Sequence, residues 1–272
     1  MLALGRVHAA KRARWRRHER SAPAQVARTA TLPEDAQIGD YLQISLHGDF
    51  TSTPQARALL TAYTASCAGS VPVPAWLLQL EGMSGRRYRA LANEYVRCAR
   101  PQRYLEVGSW SGSTACSVLW DSSMPVTCID NWSQFGGPRE EFVANTKRAR
   151  PKAGESLTLI DADFRQVDLT TLGTFDFYLF DGPHSAEDQY DGVARYLPVL
   201  TETFTLFTDD WNWADVRAGT RQALRDNGVK VIAEIQVRTS DNNVHPQWSR
   251  QRSEWHNGYF FAVCSKPSTA SG

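Results

Sequence analysis

From residue 103 onward, short apolar runs that close on an acid or a glycine alternate with helix-patterned segments. No other feature limits so strictly how this chain can fold. RYLEV, VTCID, LTLIDAD, FDFYLFD and FTLFTDD read as successive strands, and VKVIAEIQV and GYFFAVCSK as a sixth and a seventh. STACSVLW, PREEFVANTKRA, a stretch from Ser185 to about Tyr196 and another from about Asp215 to Asp226 read as helices between them. Such alternation implies a parallel sheet with right-handed crossovers. Runs such as FYLF lack the polar alternation of a sheet with one wet face, so these strands are expected to be buried on both sides. The expected fold class is α/β: a doubly wound, seven-stranded, mostly parallel sheet.

Upstream the pattern weakens. DYLQISL reads as a short strand and PQARALLTAYTASCA as a helix ending before GSVPVP; residues 35–83 are expected to form an N-terminal helical cap region. Ser84 is placed to N-cap GRRYRALANEYVRCA, in which Tyr88, Leu91, Ala92, Tyr95 and Val96 share one helical stripe. Residues 1–28 carry Arg6, Lys11, Arg12, Arg14, Arg16, Arg17, Arg20 and Arg28 against Glu19 alone. A flexible basic extension over 1–34 is the favoured reading, with an Arg-rich targeting peptide and a helix touching an anionic partner as alternatives. SAPAQVARTATLP reads as a linker. The main domain is expected to span 84–268.

Composition narrows the function classes. The 272 residues are 42% hydrophobic and 22% charged, ordinary for a globular chain with a sizeable core. A net charge of +1 offers no general attraction to nucleic acid or membrane. No apolar run approaches the roughly 18 residues of a membrane helix. The five cysteines, Cys67, Cys98, Cys116, Cys128 and Cys264, form no CxxC or Cys/His cluster, so neither a disulfide frame nor a zinc site is indicated. The cytoplasm is the simplest compartment.

Tyr104–Thr114, YLEVGSWSGST, puts Glu106 at a strand end, Gly108 at the turn, Ser109 beside it and Gly112 at the following helix. The two glycines allow close backbone approach to a ligand. Their spacing of four departs from the two-and-three spacing of a dinucleotide fingerprint, which disfavours an NAD-dependent oxidoreductase. A tight turn with no ligand is the plainer alternative. E-x-G-x-x-x-G resembles motif I of class I S-adenosylmethionine-dependent methyltransferases, over roughly residues 84–265. The resemblance implies a Rossmann-like fold and S-adenosylmethionine as cofactor, with Glu106, Gly108, Ser109 and Gly112 facing it. Asp130 ends the second strand, where a carboxylate accepts both ribose hydroxyls. Trp132 is placed to stack on adenine. Asp163 and Phe164 follow the third strand, where the family grips the adenine edge. Taken singly, each of these residues is also ordinary turn chemistry.

Asp181 ends the fourth strand, and Asp209 and Asp210 end the fifth. Parallel strand ends are neighbours, and three converging carboxylates would repel one another unless a hard cation sat among them. The pattern resembles metal-dependent O-methyltransferases of the catechol, caffeoyl-CoA and macrolide-sugar types. That resemblance implies Asp181, Asp209 and Asp210 as ligands of Mg2+ or a similar divalent cation, with Asp181 also beside the cofactor. The first two types carry a lysine base three residues after the first ligand; here His184 stands there, and an imidazole can take and release a proton near neutral pH. A solvated His184 ahead of a helix and an Asp209 that merely begins a turn are the bland alternatives.

Trp211 and Trp213 are placed either in an acceptor pocket or in the core. The 238–258 loop carries His245, Trp248, Arg252, Trp255 and His256, a mixture suited to a sugar, phosphate or polyphenol and equally to a packed surface loop. FGGPREEF supplies a flexible turn with Pro138 at a helix start. The expected function is O-methylation of a hydroxyl on a small molecule or glycan, with Asp181 and His184 as catalytic residues. Metal-independent N- or O-methylation and a non-catalytic cofactor-binding protein are the alternatives. A nucleic-acid substrate is disfavoured, no membrane partner is expected, and a homo-oligomer stays open.

Overall fold

The computed structural model of the chain describes residues 41–150 and 157–267. The basic extension 1–34, with its linker, lies outside the described residues. One eight-stranded sheet organises the rest, in the order β1-β7-β8-β6-β5-β2-β3-β4. Its strands are β1 (Gln43–Gly48), β2 (Tyr104–Val107), β3 (Val126–Asp130), β4 (Leu157–Asp161), β5 (Phe175–Phe180), β6 (Leu200–Thr208), β7 (Lys230–Arg238) and β8 (Tyr259–Ser265). β4, β3, β2, β5 and β6 pair in parallel; β8 runs antiparallel to both β6 and β7. This is the doubly wound α/β arrangement expected from the sequence, with one strand more than the expected seven. The addition is β1, which pairs antiparallel with β7, Gln43 opposite Arg238 and Gly48 opposite Ala233. It sits at the sheet edge, so its residues stay mostly exposed and its sequence lacks the apolar density that marks the inner strands.

The helices are α1 (Pro54–Cys67), α2 (Ala75–Leu78), α3 (Arg86–Ala99), α4 (Ser113–Leu119), α5 (Arg139–Ala149), α6 (Ala186–Ala194) and α7 (Ala214–Asp226). Residues of α1 to α5 pack on one face of the sheet and those of α6 and α7 on the other. β5 shows why its run is uninterrupted: Phe177 and Leu179 point into the first layer, Tyr178 and Phe180 into the second. Burying each such side chain stabilises the fold by about 1.5–3 kcal/mol.

In α3 the expected stripe of Tyr88, Leu91, Ala92, Tyr95 and Val96 is buried. Tyr88 stacks on Tyr259 with ring centroids 3.9 Å apart, and Tyr95 meets Phe177 edge-on at 5.0 Å. Ser84 does not cap this helix. Gly85 holds the cap position, while Ser84 Oγ bonds Ser113 Oγ at 2.8 Å and accepts from Arg89 Nε at 2.9 Å. Fully buried Arg89 instead organises the preceding loop, donating to the carbonyls of Leu77, Leu78 and Leu80. Among the described residues no helix is long and apolar enough to cross a membrane. All five cysteines are free thiols.

Candidate active site

The parallel strands deliver their carboxyl ends to one rim. There β2 turns at Gly108, whose φ of +85° places it in the left-handed region. A Cβ at Gly108 would lie 1.8 Å from the Asp181 carbonyl oxygen, so the turn abuts the end of β5 too closely for any side chain. Asp181 N–H in turn donates to the Val107 carbonyl at 2.9 Å. A cavity of about 350 Å³ opens beside this seam, within the range of small-molecule sites.

Of the sequence candidates, Gly108, Asp130, Asp163, Phe164, Asp181, His184, Asp209 and Asp210 line that cavity. Glu106, Ser109, Gly112 and Trp132 are not among its lining residues. Glu106 is fully buried beneath the turn, where Tyr104 donates to its Oε2 at 2.6 Å and its Oε1 has no partner among the described residues. Burial raises its pKa to about 7, with the Tyr104 hydrogen bond opposing. Trp132 packs inward at 5.5 Å from Phe142, and its indole N–H donates to the Trp110 carbonyl at 2.9 Å. Asp130 holds the turn itself: Oδ2 accepts the N–H groups of Ser109 and Trp110, both at 2.8 Å, and Oδ1 accepts that of Trp132 at 2.7 Å.

The opposite side of the cavity is acidic. β5 delivers Asp181, and Gly182-Pro183 carries the chain to His184. Ser185 then caps α6, its Oγ accepting Asp188 N–H at 3.0 Å. β6 delivers Asp209 and Asp210. Asp210 sits at a φ of +58°, a left-handed conformation rare outside glycine. Its N–H donates to Asp209 Oδ1 at 2.6 Å, which turns Asp209 inward. His184 Nε2 lies 2.6 Å from Asp210 Oδ2, and Asn257 donates to Asp210 Oδ1 at 2.7 Å.

The charges sort accordingly. Burial, then the charge of Asp210, push Asp181 well above the carboxylate range, with His184 opposing. Burial and the charges of Asp181 and Asp210 raise Asp209 likewise. Burial also pushes on Asp210, but the His184 hydrogen bond and charge outweigh it and hold this carboxyl below its ordinary value. Burial pulls His184 down, yet Asp210 prevails and its pKa is raised. The site therefore contains one ion pair, Asp210 with His184, beside two acids that burial and mutual repulsion favour as neutral.

Among the described residues, the group able to offer one ion three donor atoms is Asp181, His184 and Asp210, whose ligand atoms all lie within 4.8 Å of one another. Asp209 is not part of it.

Several lining residues carried no signal in sequence: Met83, Trp110, Ser133, Gln134 and Phe135 face the cavity, and so does His256, one of the loop residues the sequence offered for an acceptor. Trp110, Phe135 and His256 have φ values of 44°, 50° and 39°. Residue type does not announce a left-handed aromatic, so these positions were not legible. FGG, read from sequence as a mere turn, supplies Phe135, which remains 63% exposed. From the 238–258 loop only His256 lines the cavity; its Nδ1 accepts Arg250 N–H at 2.8 Å, and burial lowers its pKa to about 4 against the pull of Asp210. Trp211 belongs to the core, stacked 4.5 Å from Phe260, and Trp213 meets His245 edge-on.

Residues 105–211 match a family model described as a methyltransferase domain. No curated protein matches the chain. Solved structures similar to it include an O-methyltransferase from Bacillus cereus in complex with SAH, at 12% identity and a TM-score of 0.47 over 76% of this chain and 90% of that one. Another is the O-methyltransferase TomG from Streptomyces achromogenes in complex with SAM, at 14% identity and a TM-score of 0.46 over 76% and 89%. A third is TrmN from Thermus thermophilus, at 18% identity and a TM-score of 0.42 over 66% of this chain; the chain spans about half of TrmN, 49%.

Proposed function

We propose that this chain, whose residues 105–211 match a methyltransferase domain, is a class I S-adenosylmethionine-dependent methyltransferase that moves the cofactor's methyl group to a hydroxyl oxygen of a small molecule or sugar. The supporting observation is the 2.6 Å contact between His184 Nε2 and Asp210 Oδ2 in the same cavity as the glycine turn. Asp210 occupies Nε2, which leaves Nδ1 of His184 with the free lone pair. The acceptor oxygen attacks the methyl carbon as its proton passes to Nδ1. The carbon–sulfur bond breaks, its electron pair stays on sulfur, and neutral S-adenosylhomocysteine remains. Positive charge thus moves from sulfonium to imidazolium, and the Asp210 carboxylate stabilises it there. Gly108 and Asp130 bind the cofactor's methionine and ribose parts, and Asp163 and Phe164 its adenine.

A second reading has its own observation, the convergence of Asp181, His184 and Asp210. Two carboxylates and an imidazole form a mixed oxygen and nitrogen set, which fits manganese, iron, cobalt or zinc better than magnesium. A cation held there would lower the pKa of an acceptor hydroxyl. In that case His184 is a ligand and no longer the base. The two readings separate in one experiment: methyl transfer from labelled S-adenosylmethionine to a panel of phenols and glycosides, with and without EDTA. Turnover that survives EDTA and is lost in His184→Ala supports the base. Turnover abolished by EDTA and restored by manganese supports the cation. A wild-type chain that binds S-adenosylhomocysteine yet methylates no hydroxyl counts against both.

A further inference from the structure

We infer that His256 determines acceptor specificity, donating its Nε2–H to a lone pair on the acceptor next to the hydroxyl that is methylated; this rests on the methyl-transfer reading above. His256 comes from the 239–258 segment, remote in sequence from β5 and β6, yet it lines the same cavity as Asp181, His184 and Asp210. Its backbone is held at a φ of 39°, a conformation that costs energy and tends to persist at functional positions. Its Nδ1 accepts the Arg250 N–H at 2.8 Å. A ring nitrogen that accepts is unprotonated, so the neutral imidazole carries its proton on Nε2.

The two histidines therefore have opposite polarity. His184 is tied to a carboxylate through Nε2 and keeps a free lone pair. His256 is tied to a backbone donor through Nδ1, and its Nε2 has no hydrogen-bond partner among the described residues. One can receive a proton and the other can only give a hydrogen bond.

Their spacing is fixed by a shared frame. Thr239 Oγ1 donates to the His256 carbonyl at 2.7 Å. The next residue, Asn257, donates to Asp210 Oδ1 at 2.7 Å and accepts from Asn212 Nδ2 at 2.8 Å. The donor and the Asp210–His184 pair are thus braced against each other through a buried amide. An acceptor with only hydrocarbon beside the reacting hydroxyl would leave the His256 N–H without a partner, which penalises binding.

The test compares the wild type with His256→Leu and His256→Gln on pairs of phenols and methyl glycosides, each pair with and without a second oxygen beside the reacting hydroxyl. Calorimetry with S-adenosylhomocysteine and nitrogen-15 spectra of the imidazoles accompany the kinetics. His256→Leu is expected to raise the acceptor KM about tenfold or more. Its kcat and S-adenosylhomocysteine affinity should stay within about threefold. His256→Gln, whose amide N–H reaches the same place, should recover most of the loss, and the His256 ring should show the Nε2–H tautomer. An unchanged KM in the leucine variant, a glutamine variant no better than leucine, or an Nδ1–H ring would each overturn the inference. Failure of the wild type to methylate any member of the panel would instead strike the underlying reading, and the tautomer would still decide the state of His256.

Discussion

The two ends of the cavity treat their acids in opposite ways. At the glycine turn, Asp130 is satisfied by backbone: three N–H groups converge on its two oxygens. At the other end Asp181, Asp209 and Asp210 face one another with the His184 imidazole paired to Asp210 alone, and two of the three are driven toward the neutral form. The first end is already hydrogen-bonded to its own backbone. The second holds electrostatic tension that a proton, a cation or a substrate can relieve. A methyl donor that changes little between encounters suits the first, and an acceptor that must lose a proton suits the second.

Breaking the second end should have the largest effect. His184→Ala removes the proposed base and is expected to lower kcat by about 10²–10⁴. Affinity for S-adenosylhomocysteine, measured by calorimetry, should remain within about threefold because the glycine turn is untouched. In the wild type, activity should fall as pH drops through the raised His184 value, above the ordinary 6.5, because only the unprotonated ring can accept. A pH profile with its acidic limb well below 6.5 would remove His184 from the role.

Glu106 sharpens the comparison, since its Oε1 is buried at the cofactor end with no partner among the described residues. Its pKa is about 7 in the fold against 4.5 ordinarily. A raised acid favours the fold fully below its unfolded pKa, and that contribution is lost as pH rises through the folded one. Its size is on the order of 3 kcal/mol. Thermal melts should therefore show the wild type losing stability relative to Glu106→Gln between about pH 4.5 and pH 7. Parallel melting curves for the two proteins across that window would refute the assignment.

Asp130→Asn tests the satisfied end directly. An amide keeps one acceptor oxygen and turns an NH2 toward at least one backbone N–H. The expected cost is about 1–3 kcal/mol in stability. Affinity for S-adenosylhomocysteine should fall roughly tenfold to a hundredfold. Unchanged affinity would mean that the turn keeps its shape without the carboxylate and that Asp130 makes no contact with the ribose.

The same contrast explains what could be read from sequence. Strand ends were legible because apolar runs that stop on an acid are a local pattern, so Asp130, Asp181, Asp209 and Asp210 could be placed at the rim. Their orientation was not. Asp209 stays at the cavity wall with one oxygen taken by the following amide, and Trp132 turns inward because its indole finds the Trp110 carbonyl. β1 was hard to assign to the sheet because its only strand partner in it, β7, lies almost two hundred residues later. Met83, Trp110, Phe135 and His256 reach the cavity from loops, three of them through left-handed backbone that no periodicity reveals.

The smallest expected effect concerns that indole. Trp132→Phe keeps an aromatic ring against Phe142 but deletes the N–H that holds the Trp110 carbonyl at 2.9 Å. One partly buried hydrogen bond is lost, about 1 kcal/mol. For a domain of this size that corresponds to a Tm lower by roughly 2–4 °C. Because the Trp132 ring lies outside the cavity, S-adenosylhomocysteine should bind as tightly as before. If affinity instead drops tenfold while Tm barely moves, the indole contributes to the ligand directly, as the sequence first suggested. The turn would then rearrange when the cofactor binds, and the cofactor end would be less rigid than its three amide bonds to Asp130 imply.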